Sequence, residues 1–220
     1  MGCWTPSLTV GLKTGDWYVS DIKEDGSAFT ICHQGKALGK VEWDVLGLHN
    51  VQNALSACAC AYEVGVSVKD TVSALQSFQL PARRMEVKGI VNHITIYDDF
   101  AHHPTAMKTT LAGLRARVGE NARIIVCVEM RSYTMRHNVH GAKIMESLLA
   151  ANQVLIKKPT EISQSDLEAL ATCHPDCRIF SDTEQLIAQL KHLAKPQDHI
   201  LIMSNGAFDG IYGKLLSALA

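Results

Sequence analysis

The chain has 220 residues, 47% of them hydrophobic, and a formal net charge of −1 from 21 basic and 22 acidic side chains. That content excludes general disorder, and the charge balance gives no basis for a nucleic-acid-binding or membrane-surface role. No apolar run approaches the ~18 residues of a membrane-spanning helix, and Met1-Gly2-Cys3-Trp4-Thr5-Pro6 lacks the basic and apolar regions of a signal peptide. Seven cysteines, an odd number scattered mostly through apolar segments, fit a reducing cytoplasm.

Residues 8–46 read as β-rich. Trp17-Tyr18-Val19, Phe29-Thr30-Ile31-Cys32 and Val41-Glu42-Trp43-Asp44-Val45 are strand candidates, and Gly15-Asp16, Asp25-Gly26 and Gly35-Lys36 punctuate them as turns. Helices are predicted over 50–64 and 67–77. Ala54, Ala57, Cys58 and Ala61 share one face of the first, small enough for another element to approach closely. Cys58, Cys60 and Cys127 read as small buried hydrophobes. Ser77 to Arg84 reads as a linker, because Pro81 stops a helix and the apolar period changes from 3.6 to 2 beyond it. The chain thus divides into 1–80 and 81–220.

Beyond the linker, a hairpin is predicted over 86–91 and 93–100, turning near Asn92. From Pro104 the pattern alternates: helix 104–118, strand 123–128, helix near 139–151, strand 153–156, helix 164–172, strand 178–181, helix 183–194, strand 199–203 and helix 208–219. Short continuous apolar strands alternating with amphipathic helices predict an α/β fold, a doubly wound, mostly parallel sheet to which the hairpin adds an antiparallel edge.

The densest chemistry lies in Tyr97-Asp98-Asp99-Phe100-Ala101-His102-His103-Pro104-Thr105. Pro104 suits the first turn of a helix, so the segment reads as strand, polar elbow and helix. Its titratable groups fall at the carboxyl edge where open α/β sheets bind ligands. Asp98 and Asp99 are not an acid–base pair, since strand neighbours diverge. One of them can accept hydrogen bonds from ribose hydroxyls, and the other orients the elbow or faces solvent. His102 and His103 are either nucleotide or metal contacts, a general base, or structural groups at the helix start. Asn50 offers a donor and an acceptor matching an adenine edge, or caps a helix. Arg83-Arg84 offers a planar cation to a phosphate oxygen, or is a solvated pair. In an extended linker only one of the two reaches a given ligand. Arg131, Ser132, Tyr133, Thr134, Arg136, His137 and His140 follow a strand at the ligand edge, where an Arg can receive a carboxylate, or form a polar surface loop. Ser204-Asn205-Gly206 opens a backbone-rich segment after the last strand, without the G-x-G-x-x-G pattern. Cys173-His174-Pro175-Asp176-Cys177 is half a zinc pattern with no second half, and reads as chance.

Three segments resemble the Mur ligases, the ATP-dependent amide-forming enzymes of peptidoglycan synthesis. They are Gly47-Leu48-His49-Asn50-Val51-Gln52-Asn53, Leu80-Pro81-Ala82-Arg83-Arg84-Met85-Glu86 and the Asp99 elbow, in the family's order. The resemblance implies that 1–80 is the end of a central ATP-binding domain and 81–220 a Rossmann-like C-terminal domain. It also implies nucleotide contacts from Asn50, Arg84, Asp99 and His102, with Arg84 linking domain closure to ATP. Val128-Glu129-Met130-Arg131-Ser132-Tyr133-Thr134 and Met203-Ser204-Asn205-Gly206 are most similar to the recycling branch. This implies UDP-N-acetylmuramate and the murein tripeptide L-alanyl-γ-D-glutamyl-meso-diaminopimelate as substrates, with Arg131, Ser132, Tyr133, Thr134, Ser204 and Asn205 toward the peptide.

The phosphate loop G-x-x-x-x-G-K-[ST] does not occur in these residues. By the resemblance, that loop, the UDP-sugar domain and the Mg2+ ligands are expected upstream, in missing N-terminal and central regions, and the chain alone is expected to be inactive. The alternative is a stand-alone nucleotide-binding or interaction module without catalysis.

Overall fold

The computed structural model describes residues 4–137, 140, 142–159, 162–172 and 174–220. It separates into two compact units, Met1–Leu80 and Pro81–Ala220.

The first unit is a three-stranded antiparallel sheet, β1 (Trp17–Ser20), β2 (Ala28–His33) and β3 (Lys36–Glu42), followed by α1 (Leu48–Glu63) and α2 (Val68–Gln76). The third strand was expected at Val41–Val45 but begins at Lys36. Gln34 and Gly35, at φ +48° and +79°, make a two-residue hairpin turn, so pairing restarts at once with His33 opposite Lys36. Gly39 lets α2 pack closely, since a Cβ there would stand 2.8 Å from Val72 Cγ2. The buried stripe of α1 is Val51, Ala54, Leu55, Cys58 and Ala59. Ala57 and Cys60, expected on buried faces, are exposed, because the helix turns a different arc to the sheet.

The second unit runs β4 (Glu86–Val91), β5 (Ile94–Asp99), α3 (Pro104–Val118), β6 (Ile124–Glu129), α4 (Tyr133–Arg136), α5 (Ala142–Glu146), β7 (Gln153–Lys157), α6 (Gln164–Thr172), β8 (Cys177–Phe180), α7 (Thr183–Leu193), β9 (His199–Met203) and α8 (Ile211–Leu219). Its six-stranded sheet has the order β4-β5-β9-β6-β7-β8, with β4 antiparallel and the other pairings parallel. The β4–β5 turn is made by Asn92 and His93 at φ +48° and +61°. The helix expected near 139–151 is shorter: Val139 and Gly141 lie outside the described residues, and α5 ends at Glu146. There Ser147 Oγ bonds back to the Ile144 carbonyl at 2.5 Å and competes with the helical ladder. The last helix starts at Ile211 rather than 208, because Phe208, Asp209 and Gly210 form a left-handed turn.

Two apolar layers cover this sheet. Met107, Leu111 and Leu114 of α3, with Ile144 and Leu170, pack on Val126 and Val128; Leu186, Leu190, Ile211 and Leu215 pack on Ile125 and Cys127. The strands β5 and β6 therefore lead to helices on one face, while β9, lying between them, leads to α8 on the other. The loops part at β9, which is where an α/β sheet opens a crevice for ligands.

Candidate functional site

Asp98 and Asp99 end β5 at 2% and 3% exposure. They diverge as neighbours in a strand must. Asp98 accepts from Tyr212 Oη at 2.5 Å and from Arg83 Nε at 3.2 Å, so of its two expected roles it takes that of orienting the elbow. Asp99 Oδ1 accepts from the Ala101 amide at 2.9 Å and Thr110 Oγ1 at 3.3 Å, and Oδ2 from the Met85 amide at 2.9 Å. Burial pushes the Asp99 carboxyl above its ordinary value, against the downward pull of the two amides, Arg84 and Thr110. A carboxylate has about four acceptor positions; the position left over lies on Oδ2.

The segment before β4 is a turn, not the extended linker expected. Arg83 and Met85 take φ +64° and +49°, and the Phe100 amide donates to the Arg83 carbonyl at 2.9 Å. Alternation of side chains therefore fails, and both guanidinium groups come to the Phe100 ring, at 5.3 and 5.7 Å. Their duties differ. Arg83 is spent inside the protein, on Asp98 and on the Ser204 carbonyl at 2.5 Å. Arg84 is exposed. His102 is half-buried, and its Nδ1 donates to the Phe100 carbonyl at 2.8 Å, which leaves Nε2 as its outward nitrogen. His103 Nδ1 accepts from the Thr105 amide at 3.3 Å and caps α3, the structural role.

Across β9, Ser204 is fully buried. Its amide donates to the Asp99 carbonyl at 3.1 Å, its hydroxyl donates to Glu129 at 2.6 Å and accepts from the Gly206 amide at 2.9 Å. A substrate contact by the Ser204 side chain does not fit this placement, because both the atom and its proton serve the scaffold. Asn205 is half-buried, and its Oδ1, itself buried, has no hydrogen-bond partner among the described residues. The exposed Arg131 lies against the same loop: a Cβ on Gly206 would stand 2.2 Å from Arg131 Nη1. Ser132 caps α4 through the Met135 amide at 3.4 Å and shares its hydroxyl with Thr134 at 3.3 Å. Tyr133 is 69% exposed, with its ring 4.4 Å from that of His137. Glu129 and Lys157, ending β6 and β7, were not singled out from the sequence. The signal available was one charged residue closing each apolar strand.

In the first unit, Asn50 is not the cap of α1. Gly47 holds that position at φ +93°, and Asn50 Nδ2 donates to the Leu46 carbonyl at 2.8 Å. Asn50 and Asn53 edge a cavity of about 270 Å³ whose walls include Trp43, Val45, Ala57, Leu75 and Phe78. An apolar slot with an amide at its edge suits a flat heteroaromatic ring. The half zinc pattern holds nothing among the described residues: Cys173 lies outside them, and the buried His174 bonds the Ala151 carbonyl and Asp176 amide at 3.3 and 3.2 Å. Among the described residues no three His, Cys, Asp or Glu side chains gather to hold a metal. No helix among them is long and apolar enough to cross a membrane.

Residues 83–206 match the Mur ligase, glutamate ligase domain, and the chain belongs to the Mur ligase family. Within it, the chain is 41% identical, over its whole length, to proteins of Haemophilus influenzae and of Escherichia coli. Each is named UDP-N-acetylmuramate--L-alanyl-gamma-D-glutamyl-meso-2,6-diaminoheptandioate ligase, and 48% of each is covered. Among solved structures, a murein peptide ligase of Psychrobacter arcticus matches 96% of the chain and 45% of its own length at 38% identity, with a TM-score of 0.71. The chain thus spans about half the length of the curated relatives it matches.

Proposed function

We propose that this chain is part of a cytoplasmic, ATP-dependent ligase that joins UDP-N-acetylmuramate to L-alanyl-γ-D-glutamyl-meso-diaminopimelate in peptidoglycan recycling. The observation that carries the reading is 41% identity, along the whole chain, to two ligases that bear this reaction in their names. The muramate carboxylate attacks the γ-phosphate of ATP to give an acyl phosphate and ADP. The tripeptide's free amine then attacks that carbonyl, and phosphate leaves with formation of the amide. Such chemistry needs positioning and neutralisation of charge more than acid–base groups.

The residues divide by what they offer. Asn50 presents its amide at the apolar cavity of the first unit, for adenine. In the second unit, Arg84 offers an exposed cation to a phosphate oxygen, Asp99 its remaining Oδ2 position to a ribose hydroxyl, and His102 its Nε2. Arg131, with Ser132, Tyr133, Thr134 and Asn205 about it, faces the tripeptide, whose carboxylates suit a guanidinium fork. Ser204 supports that loop from beneath. Mg2+ would neutralise the triphosphate, but the described residues supply no donor set for it, and no Mg2+ ligand is assigned among them.

The test is Arg131→Lys in the full-length ligase. A point charge replaces the fork, so the tripeptide KM should rise about tenfold, the loss of one charged hydrogen bond. The KM for ATP should hold. A fall in ATP affinity with the tripeptide KM unchanged would mean that the two ligands lie on the opposite sides of this edge.

A further inference from the structure

Beyond the elbow, the carboxyl ends of β6, β7 and β9 are joined by side chains to which the proposed reaction gives no task. Glu129 is 8% exposed; it accepts from Ser204 Oγ at 2.6 Å and from Lys157 Nζ at 3.4 Å. The Lys157 side chain is only 17% exposed. Its ammonium also pairs with Asp209, whose Oδ2 accepts from the buried Thr183 hydroxyl at 2.7 Å. It stands 5.7 Å from the centre of the Phe208 ring. Burial works against the ammonium, but Asp209 and Glu129 outweigh it and hold the group above its ordinary value.

The turn beside Lys157 has a backbone that Asp209 tolerates and the bulky Phe208 disfavours. Phe208, Asp209 and Gly210 take φ +45°, +49° and +70° in succession. The left-handed region crowds a Cβ against the next carbonyl, and two of these three residues have one. Such a turn persists where its surroundings hold it. Here Phe208 is fully buried, and the Asp209 carboxylate is gripped from two sides.

We propose that Lys157 is a positioning residue: by gripping Asp209 and Glu129 together it holds the left-handed turn, and with it the Ser204–Gly206 loop, in the one shape that sets the Gly206 backbone beside Arg131. The two grips act at opposite ends of the same loop, one through Glu129 on Ser204 and one directly on Asp209. A ligand then meets a surface already in its binding form, and loses less affinity to ordering it. The inference deepens the reading of this edge as the tripeptide side and rests on it.

The test uses the full-length ligase, with Lys157→Met, Lys157→Arg and Asp209→Asn. Amide hydrogen exchange over 204–210 is followed without ligand, and tripeptide and ATP are each titrated calorimetrically. Lys157→Met should exchange faster at 204–210 than the unaltered ligase while the central strands stay protected. It should bind tripeptide about tenfold more weakly with ATP affinity unchanged, and Lys157→Arg should recover part of both effects. Unchanged exchange at 204–210 overturns the proposal, as does faster exchange there with full tripeptide affinity. An unaltered ligase that binds no tripeptide defeats the substrate reading instead, and exchange then decides the positioning role by itself. Should Lys157→Met not fold, Asp209→Asn carries the same comparison, because Asn tolerates the left-handed turn and lacks only the charge.

Discussion

The two ends of the ligand edge in the second unit are fastened by different means. At the end of β5, the Asp99 carboxylate takes two backbone amides and a hydroxyl, and Asp98 anchors Arg83 and Tyr212. At the ends of β6 and β7, side chains hold side chains: Ser204 to Glu129, Glu129 to Lys157, Lys157 to Asp209, Asp209 to Thr183. The first end is built mostly from residues 83 to 110, with Tyr212 and the Ser204 carbonyl added, and its two carboxylates are nearly closed to solvent. The second gathers residues from 129 to 209 and reaches solvent at Asp209, whose side chain is 54% exposed. Burial and backbone partners make the first end stiff and costly to break. The second end depends on charges that water and salt can reach.

The largest effect expected from that difference is at Asp98. Asp98→Ala strands Arg83 and Tyr212, and losing one partner of a buried ion pair costs about 3–5 kcal/mol. Chemical denaturation should place the loss toward the lower end of that range, because the Arg83 side chain is 29% exposed and water can partly recover it. A loss comparable with that of an exposed pair such as Lys214–Glu184 would refute the contrast between the two ends.

Asp99→Ala comes next. It leaves the Met85 and Ala101 amides without their acceptor, at a cost of about 1–3 kcal/mol, less than for Asp98→Ala. In the full-length ligase the order should invert for ATP, since the proposed ribose contact falls on Asp99 while Asp98 is committed to Arg83 and Tyr212. Indistinguishable ATP kinetics in the two folded variants would remove Asp99 from the nucleotide's contacts.

The pH dependence of stability separates the ends by sign. The Asp99 carboxyl lies above its ordinary 3.8, raised by burial, so it favours the folded state while protonated. Its contribution is lost as pH rises from about that value through the raised one. The Asp209 carboxyl lies below 3.8, lowered by Lys157 and then Thr183. Its contribution is present above 3.8 and is lost as pH falls through the lowered value. Asp209→Asn should therefore flatten the acid limb of a denaturation-against-pH curve, and Asp99→Asn the limb just above it. The same limb responding to both substitutions would contradict the assignment.

This contrast also explains what could be read in the sequence. Apolar strands such as His199–Met203, bounded by turn residues, announce themselves by composition, and so does the elbow, whose polar residues are consecutive. The turn at 83–85 was not legible. Two non-glycine residues adopt positive φ there because the Asp99 carboxylate and the Phe100 amide bond its backbone, and those partners come from another strand end. The same turn makes Arg83 internal, a role that the sequence does not show for it. The resemblance implies a peptide contact at Ser204, yet Glu129, 75 residues away, claims its hydroxyl. Lys157 reads as an ordinary polar strand end until pairing sets it beside Glu129 across β6 and β7.

The smallest expected effect on stability gives the sharpest test of the second end. Gly206 does not need positive φ, so alanine suits its backbone. The added Cβ would meet Arg131 at Nη1, Cδ and Cζ, at 2.2, 2.4 and 2.7 Å, and no backbone atom is among those three nearest. An exposed, flexible side chain can swing away, so Gly206→Ala should change the midpoint of unfolding little, within the roughly 0.5 kcal/mol of a tolerated surface substitution. It should nevertheless move the guanidinium off the loop. If Arg131 acts from that position, the tripeptide KM of the full-length ligase rises while the ATP KM holds, the same split as for Arg131→Lys, and the two substitutions together do little more than either alone. Additive effects on the tripeptide would mean that Gly206 serves the ligand through its own backbone rather than by seating Arg131.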